Sequence, residues 1–137
     1  MVVLVKWNFN LFVNDGKPLT LDGSIDGITA YDKLSIKVPK EGSEPPTGTT
    51  VDLQPSVVDN LFLLCIRSDV YQAADGSNKL TYNLSNVTGA NDNELLGPHV
   101  LIGNALVKLL GDDLTKLKFI NTTAKDANIE VVVGRKA

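Results

Sequence analysis

His99 is the only histidine in the chain and Cys65 the only cysteine. That count excludes a metal centre built on several histidines and any intrachain disulfide. A single histidine can still act as a general base when a carboxylate orients it. A hydrolase-type site around His99 is therefore one reading. The competing reading is a satisfied histidine at the rim of a core, because His99 follows Gly97-Pro98 and leads into the apolar Val100-Leu101-Ile102. No G-x-S-x-G nucleophile elbow is present. Cys65 lies inside the apolar run Leu61, Phe62, Leu63, Leu64, Cys65, Ile66. A reactive thiol needs exposure and a cationic neighbour, so Cys65 reads as a small buried side chain. The expectation is a protein without catalytic residues.

Oxygen ligands gather at Asp22 with Asp26, at Asp92 with Glu94, and at Asp112-Asp113. The stretch DGSIDG (residues 22–27) has some look of a calcium loop. It lacks the D-x-D-x-D-G spacing and the distal bidentate glutamate. A weak Ca²⁺ site among these clusters is a minor alternative to solvated loops, and no cofactor is expected. Phosphate-cradling glycine motifs are absent from the sequence. Trp7 and Phe9 alternate with valines and are expected inward. Tyr31 and Tyr71 fall near turn-rich segments and are the candidate ligand-loop residues for a carbohydrate-type module.

Net charge is −3, and the 13 basic residues are scattered. Nucleic acid and anionic membrane surfaces both call for clustered Lys and Arg, so neither is an expected partner. No apolar run approaches the roughly 20 residues of a membrane-spanning helix. The opening MVVLVKWNF is broken by Lys6 and is not read as a signal peptide. A cytoplasmic or particle-associated protein is the expectation. Sequons at Asn83, Asn86 and Asn121 are then read as coincidence in an Asn- and Thr-rich chain.

The run from Leu61 to Ile66 does not alternate with polar residues, which predicts a central strand covered on both faces. Val3, Val5, Trp7, Phe9, Leu11 and Val13 recur at every second position and predict a long strand. Asp15-Gly16 turns it, and a short return strand is expected at Leu19 and Leu21. DGSIDG reads as a second turn. Further alternating segments centre on Ile36, Val51, Tyr82, Phe119 and Val131. Residues 40–50 form an exposed polar loop rich in Pro and Gly. Asn104 is placed as the cap of a short helix near 104–110, closed by Gly111, with a strand as the alternative.

About eight or nine short strands with regular turn signals predict an all-β, single-domain antiparallel β-sandwich spanning 1–137, jelly-roll or Greek-key like. Helix-length apolar patterns between the strands are missing, which disfavours a parallel sheet. Leu4, Phe12, Phe62 and Val132 are surplus to a one-faced core and are the candidate interface residues. A compact, loop-rich β-sandwich of this kind is similar to small virion, tail or other particle components. The functional expectation is a structural or assembly protein that self-associates or joins particle proteins. The alternative is a ligand-binding module using its end loops.

Overall fold

The computed structural model describes residues 2–42, 48–53, 60–73, 75, 77–84, 92–111 and 114–136. Among the described residues ten strands run in chain order: β1 (Val3–Leu11), β2 (Leu19–Ile28), β3 (Ala30–Val38), β4 (Thr49–Asp52), β5 (Leu61–Ser68), β6 (Leu80–Leu84), β7 (Asn93–Glu94), β8 (His99–Ile102), β9 (Lys116–Asn121) and β10 (Ala127–Arg135). One sheet has the order β3-β10-β5-β8, the other β4-β9-β6-β7. Among the described residues, strands β1 and β2 pair only with each other.

Every pairing in the two larger sheets is antiparallel, and the pairs nest. The first sandwich strand lies beside the last (β3 with β10), then β4 with β9, β5 with β8 and β6 with β7. The bridges β10–β5 and β9–β6 complete each sheet. A long antiparallel ribbon wound on itself in this way is a jelly roll. The expected all-β antiparallel sandwich is what forms.

Alternation decides which side chains meet between the sheets. Ile129, Val131 and Val133 of β10 and Leu64 and Ile66 of β5 face Leu80 and Tyr82 of β6 and Leu117 and Phe119 of β9, all 0–1% exposed. Leu61 also joins this core although it is three residues from Leu64. The reason is a bulge: Gly134 pairs with Leu63 but Arg135 with Leu61. Phe62 is the extra residue, turned outward beneath the Lys136 ammonium, 4.5 Å from its ring centre. Asn121 ties the sheets together. Its Nδ2 donates to Val38 O (3.1 Å) and Lys125 O (2.8 Å), and its Oδ1 accepts from the Thr123 N–H (2.9 Å) and hydroxyl (2.6 Å). The amide of this sequon is thus buried and fully occupied.

Three local expectations are corrected. DGSIDG is not a turn but the second half of the ten-residue β2. Gly23 stands opposite Trp7, where a Cβ would come within 2.5 Å of the indole, so the glycine makes room for the ring. Gly27, at φ 79°, sits in the bulge between the Val3–Ile28 and Val5–Ile25 pairs. Asn104 does not cap its helix. Gly103 holds the N-cap position of α1 (Asn104–Val107), which runs on into a 3-10 turn at Lys108–Leu110. The Asn104 side chain donates instead to Leu61 O (2.9 Å), pinning the helix to β5. Of the expected loop at residues 40–50, 43–47 lie outside the described residues, and Thr49 already begins β4.

Candidate functional site

His99 points into the sandwich from edge strand β8. Its Nδ1 lies 2.7 Å from the Tyr82 hydroxyl, and the two rings meet edge to face at 5.5 Å. Burial pushes the Tyr82 phenol up to about 12, so it stays protonated and donates to Nδ1 whenever that nitrogen carries no proton. Burial also lowers the His99 pKa, opposed by a backbone hydrogen bond at Glu94. The partner of this histidine is a phenol packed on Phe119, not a carboxylate. That is the chemistry of a satisfied rim histidine.

The acidic clusters are spread rather than gathered. Asp22 and Asp26 lie four residues apart along extended β2, about 13 Å at strand rise. Asp92 accepts from Asn83 Nδ2 (2.8 Å), and the Asn93 amide donates to Tyr82 O (3.2 Å). Asp112 and Asp113 lie outside the described residues. No group of three candidate metal ligands occurs among the described residues. The two tyrosines do not converge either. Tyr31 is exposed at the start of β3 opposite Gly134. Tyr71 is half-buried, and its hydroxyl accepts from the Ser68 N–H (3.1 Å), beside the residue that pairs with Ile129. Gly134 and Ile129 are five residues apart on β10, roughly 16 Å at strand rise.

The feature that stands out is the hairpin. Cross-strand register puts Val5 against Ile25, Phe9 against Leu21 and Leu11 against Leu19 on one face. Lys6–Ser24, Asn8–Asp22 and Asn10–Thr20 form the other face. From Val5 to Leu11 the ribbon is therefore apolar on one side and polar on the other. Its root is covered. Ile28 is 0% exposed, and it lies against Gly134 and Leu63 on the outer face of the β3-β10-β5-β8 sheet. Gly134 accepts it because a Cβ there would stand 2.9 Å from the Leu63 Cβ.

Its distal half is uncovered. Phe9, Leu11, Leu19 and Leu21 are 40–57% exposed, and Phe12 at the tip is 62% exposed. Trp7 and Phe9 were expected inside a core. Trp7 is half-buried and Phe9 exposed, because the strand stands off the sandwich instead of joining it. Between arm and body runs an open cleft of about 580 Å³, lined by Trp7, Phe9 and Leu21 on one side and Pro98, Val100, Ile102 and Leu106 on the other.

The four expected interface residues do not form one patch. Leu4 is exposed on the back of the arm and Phe12 at its tip. Phe62 is half-buried under Lys136. Val132 is half-buried on the sheet's outer face, opposite Cys65. Val132 and Cys65 floor a dent of about 120 Å³ walled by Arg67, Glu130 and Pro98. The Arg67 guanidinium hydrogen-bonds Glu130, holding its carboxyl below the usual range, and Lys33 adds a 3.5 Å ion pair. Burial pushes the Cys65 thiol up, away from reactivity.

The cleft residues Pro98, Val100, Ile102 and Leu106 were missed as a group. Val100 and Ile102 read as buried from their apolar run, whereas β8 is a sheet edge with an outward face, and Leu106 stands beside them on α1. Edge position depends on long-range pairing and leaves no local signal. No family model matches the chain, and no curated protein or solved structure matches it.

Proposed function

We propose that this protein is a structural subunit that works by association, as a homo-oligomer or as a component of a larger particle of virion or tail type. The observation that carries the reading is the distal half of the hairpin. It displays an apolar face of four side chains 40–57% exposed, with Phe12 at the tip 62% exposed, that the described body of the same chain does not cover. Exposed apolar surface of that extent costs solubility, and it marks an association site when it is contiguous and rimmed by polar residues. The polar rim is present in Asn8, Asn10, Thr20 and Asp22. No cofactor and no catalytic residue enter this reading, and a cytoplasmic or particle location accommodates it. Among the described residues no helix is long and apolar enough to cross a membrane.

The second reading is a carbohydrate-type ligand-binding module using the end loops around Tyr31 and Tyr71. The positions next to them on β10 lie roughly 16 Å apart, which favours two separate contacts over one compact aromatic platform, and a glycan array that stays blank rules this reading out. The assembly reading is tested by native mass from light scattering, on the wild type and on a Leu11→Asp, Leu19→Asp double variant. The wild type is expected to be an assembly. The variant is expected to be a monomer with an unchanged circular dichroism spectrum, since both side chains stand in water in the single chain. A wild type that stays monomeric at high concentration, with no partner recovered from its source, rules the reading out.

A further inference from the structure

The arm has a place to go, and it is carried by the same chain. We propose that the occupant of the cleft between arm and body is the hairpin tip of a second copy, so that each copy presents one arm and one socket. This rests on the assembly reading above and specifies its partner and contact.

Area supports a stable joint. Phe9, Leu11, Phe12, Val13, Leu19 and Leu21 are 40–69% exposed, and Val100 and Leu106 at the cleft are 37% and 45% exposed. With side chains of roughly 150–200 Å² each, these leave on the order of 700 Å² of apolar surface in water. A stable interface buries about 800 Å² on each partner. One arm and one cleft therefore supply about what one side of such a contact needs.

Charge supports a second copy over a different partner. None of the described residues lining the cleft is charged, so an apolar tip enters without stripping water from an ion. The turn carries Asp15 and Lys17, one of each sign, and leaves the tip close to neutral. An anionic bilayer would call for basic residues around the inserted side chains. The arm's polar face offers Lys6 alone against Asp22 and Asp26.

Geometry supports insertion over simple stacking. The apolar face of the arm is turned toward Pro98, Val100 and Leu106 across the cleft. A tip placed there meets apolar side chains from both walls, whereas a tip laid elsewhere on the arm meets only one. The two surfaces differ, so the joint is of the arm-to-socket kind, closed by two-fold exchange or by a ring.

The test uses the full chain in a Cys65→Ser background. Phe12→Cys and Leu106→Cys proteins, one bearing a mass tag so that mixed and like dimers separate on a gel, are combined and oxidised. A control combines Phe12→Cys with Lys37→Cys, on the opposite edge strand β3 of the same sheet. The expected result is mixed Phe12–Leu106 dimer in excess over the control on the order of tenfold, the signature of a high effective concentration. All four positions are exposed or half-buried, and light scattering on the Cys65→Ser parent shows whether assembly persists. An assembled parent with mixed dimer at the control level overturns the arm-to-socket contact and leaves the assembly reading standing. Dominant like dimers of Phe12→Cys overturn it also, in favour of arm-on-arm stacking. A monomeric wild type overturns the arm-to-socket contact between copies, and it overturns the assembly reading as well only when no partner is recovered from its source.

Discussion

Ile28 and Ile129 are both 0% exposed isoleucines, yet they hold different things together. Ile129 belongs to the core between the sheets, whereas Ile28 lies outside that cluster and roots the hairpin on Gly134. Replacing either with alanine removes the same atoms. The transfer term is about 2.4 kcal/mol for three carbons, and the cavity left behind brings the total to about 2–5 kcal/mol. For Ile129→Ala that loss falls on the whole fold. At a urea m-value of about 2 kcal/mol/M it lowers the unfolding midpoint by roughly 1–2.5 M. For Ile28→Ala the loss is capped by the free energy with which the arm is docked, because past that point the arm lifts while the sandwich stays shut. The chain supplies its own reporter, since Trp7 is the only tryptophan and sits on the arm. Urea titration is followed by Trp7 fluorescence and by far-ultraviolet circular dichroism. In Ile129→Ala both transitions shift together. In Ile28→Ala the fluorescence transition moves to lower urea and separates from the dichroism transition, which shifts less. If Ile28→Ala displaces both signals as far as Ile129→Ala does and keeps them coincident, the arm is part of the cooperative core and the separation argued here is wrong.

The His99 imidazole has a folded pKa below its ordinary 6.5. The unfolded chain therefore binds the proton first, and stability that is whole above pH 6.5 drains as pH falls from there to the lowered folded value. His99→Gln is expected to flatten the fall in melting temperature over that window; an unchanged slope refutes it. Asn121→Ala is expected to cost about 2–4 kcal/mol in chemical denaturation, since it removes four hydrogen bonds and strands buried partners. A loss under about 0.5 kcal/mol would mean that these partners find substitutes.

The strands were legible because alternation is a local property. β1, β3, β6, β9 and β10 follow from which side chains recur at every second position, and β5 from the lack of a polar face. Alternation says that one face needs cover without saying what covers it, and this is where Trp7 and Phe9 were misplaced. Their stripe looks like a core strand's stripe in sequence. The same blindness applies to Val100 and Ile102, whose exposure follows from β8 closing a sheet. DGSIDG was read through its glycines as turns. Gly23 answers instead to an indole sixteen residues earlier, and Gly27 to a bulge. Nested pairing of β3 with β10 spans nearly the whole chain, and no local window contains it. Leu4 and Phe12 did point to the arm, because apolar residues on its polar side or at its turn have no use in a one-faced core.

The hairpin joins the sandwich through a short peptide, Gly27 to Thr29, where the Thr29 N–H donates to Arg135 O (2.9 Å), and through side chains at its root. Among the described residues no ladder of strand bonds to the body fixes its inclination. With nine residues in β1 the arm is about 30 Å long at strand rise. A swing of about 10° at the root then carries the tip roughly 5 Å, with neither sheet distorted. If copies join through the proposed arm-to-socket contact, units linked by such outriggers would meet at a range of dihedral angles. A surface tiled from one gene product could then bend more sharply in one place than in another.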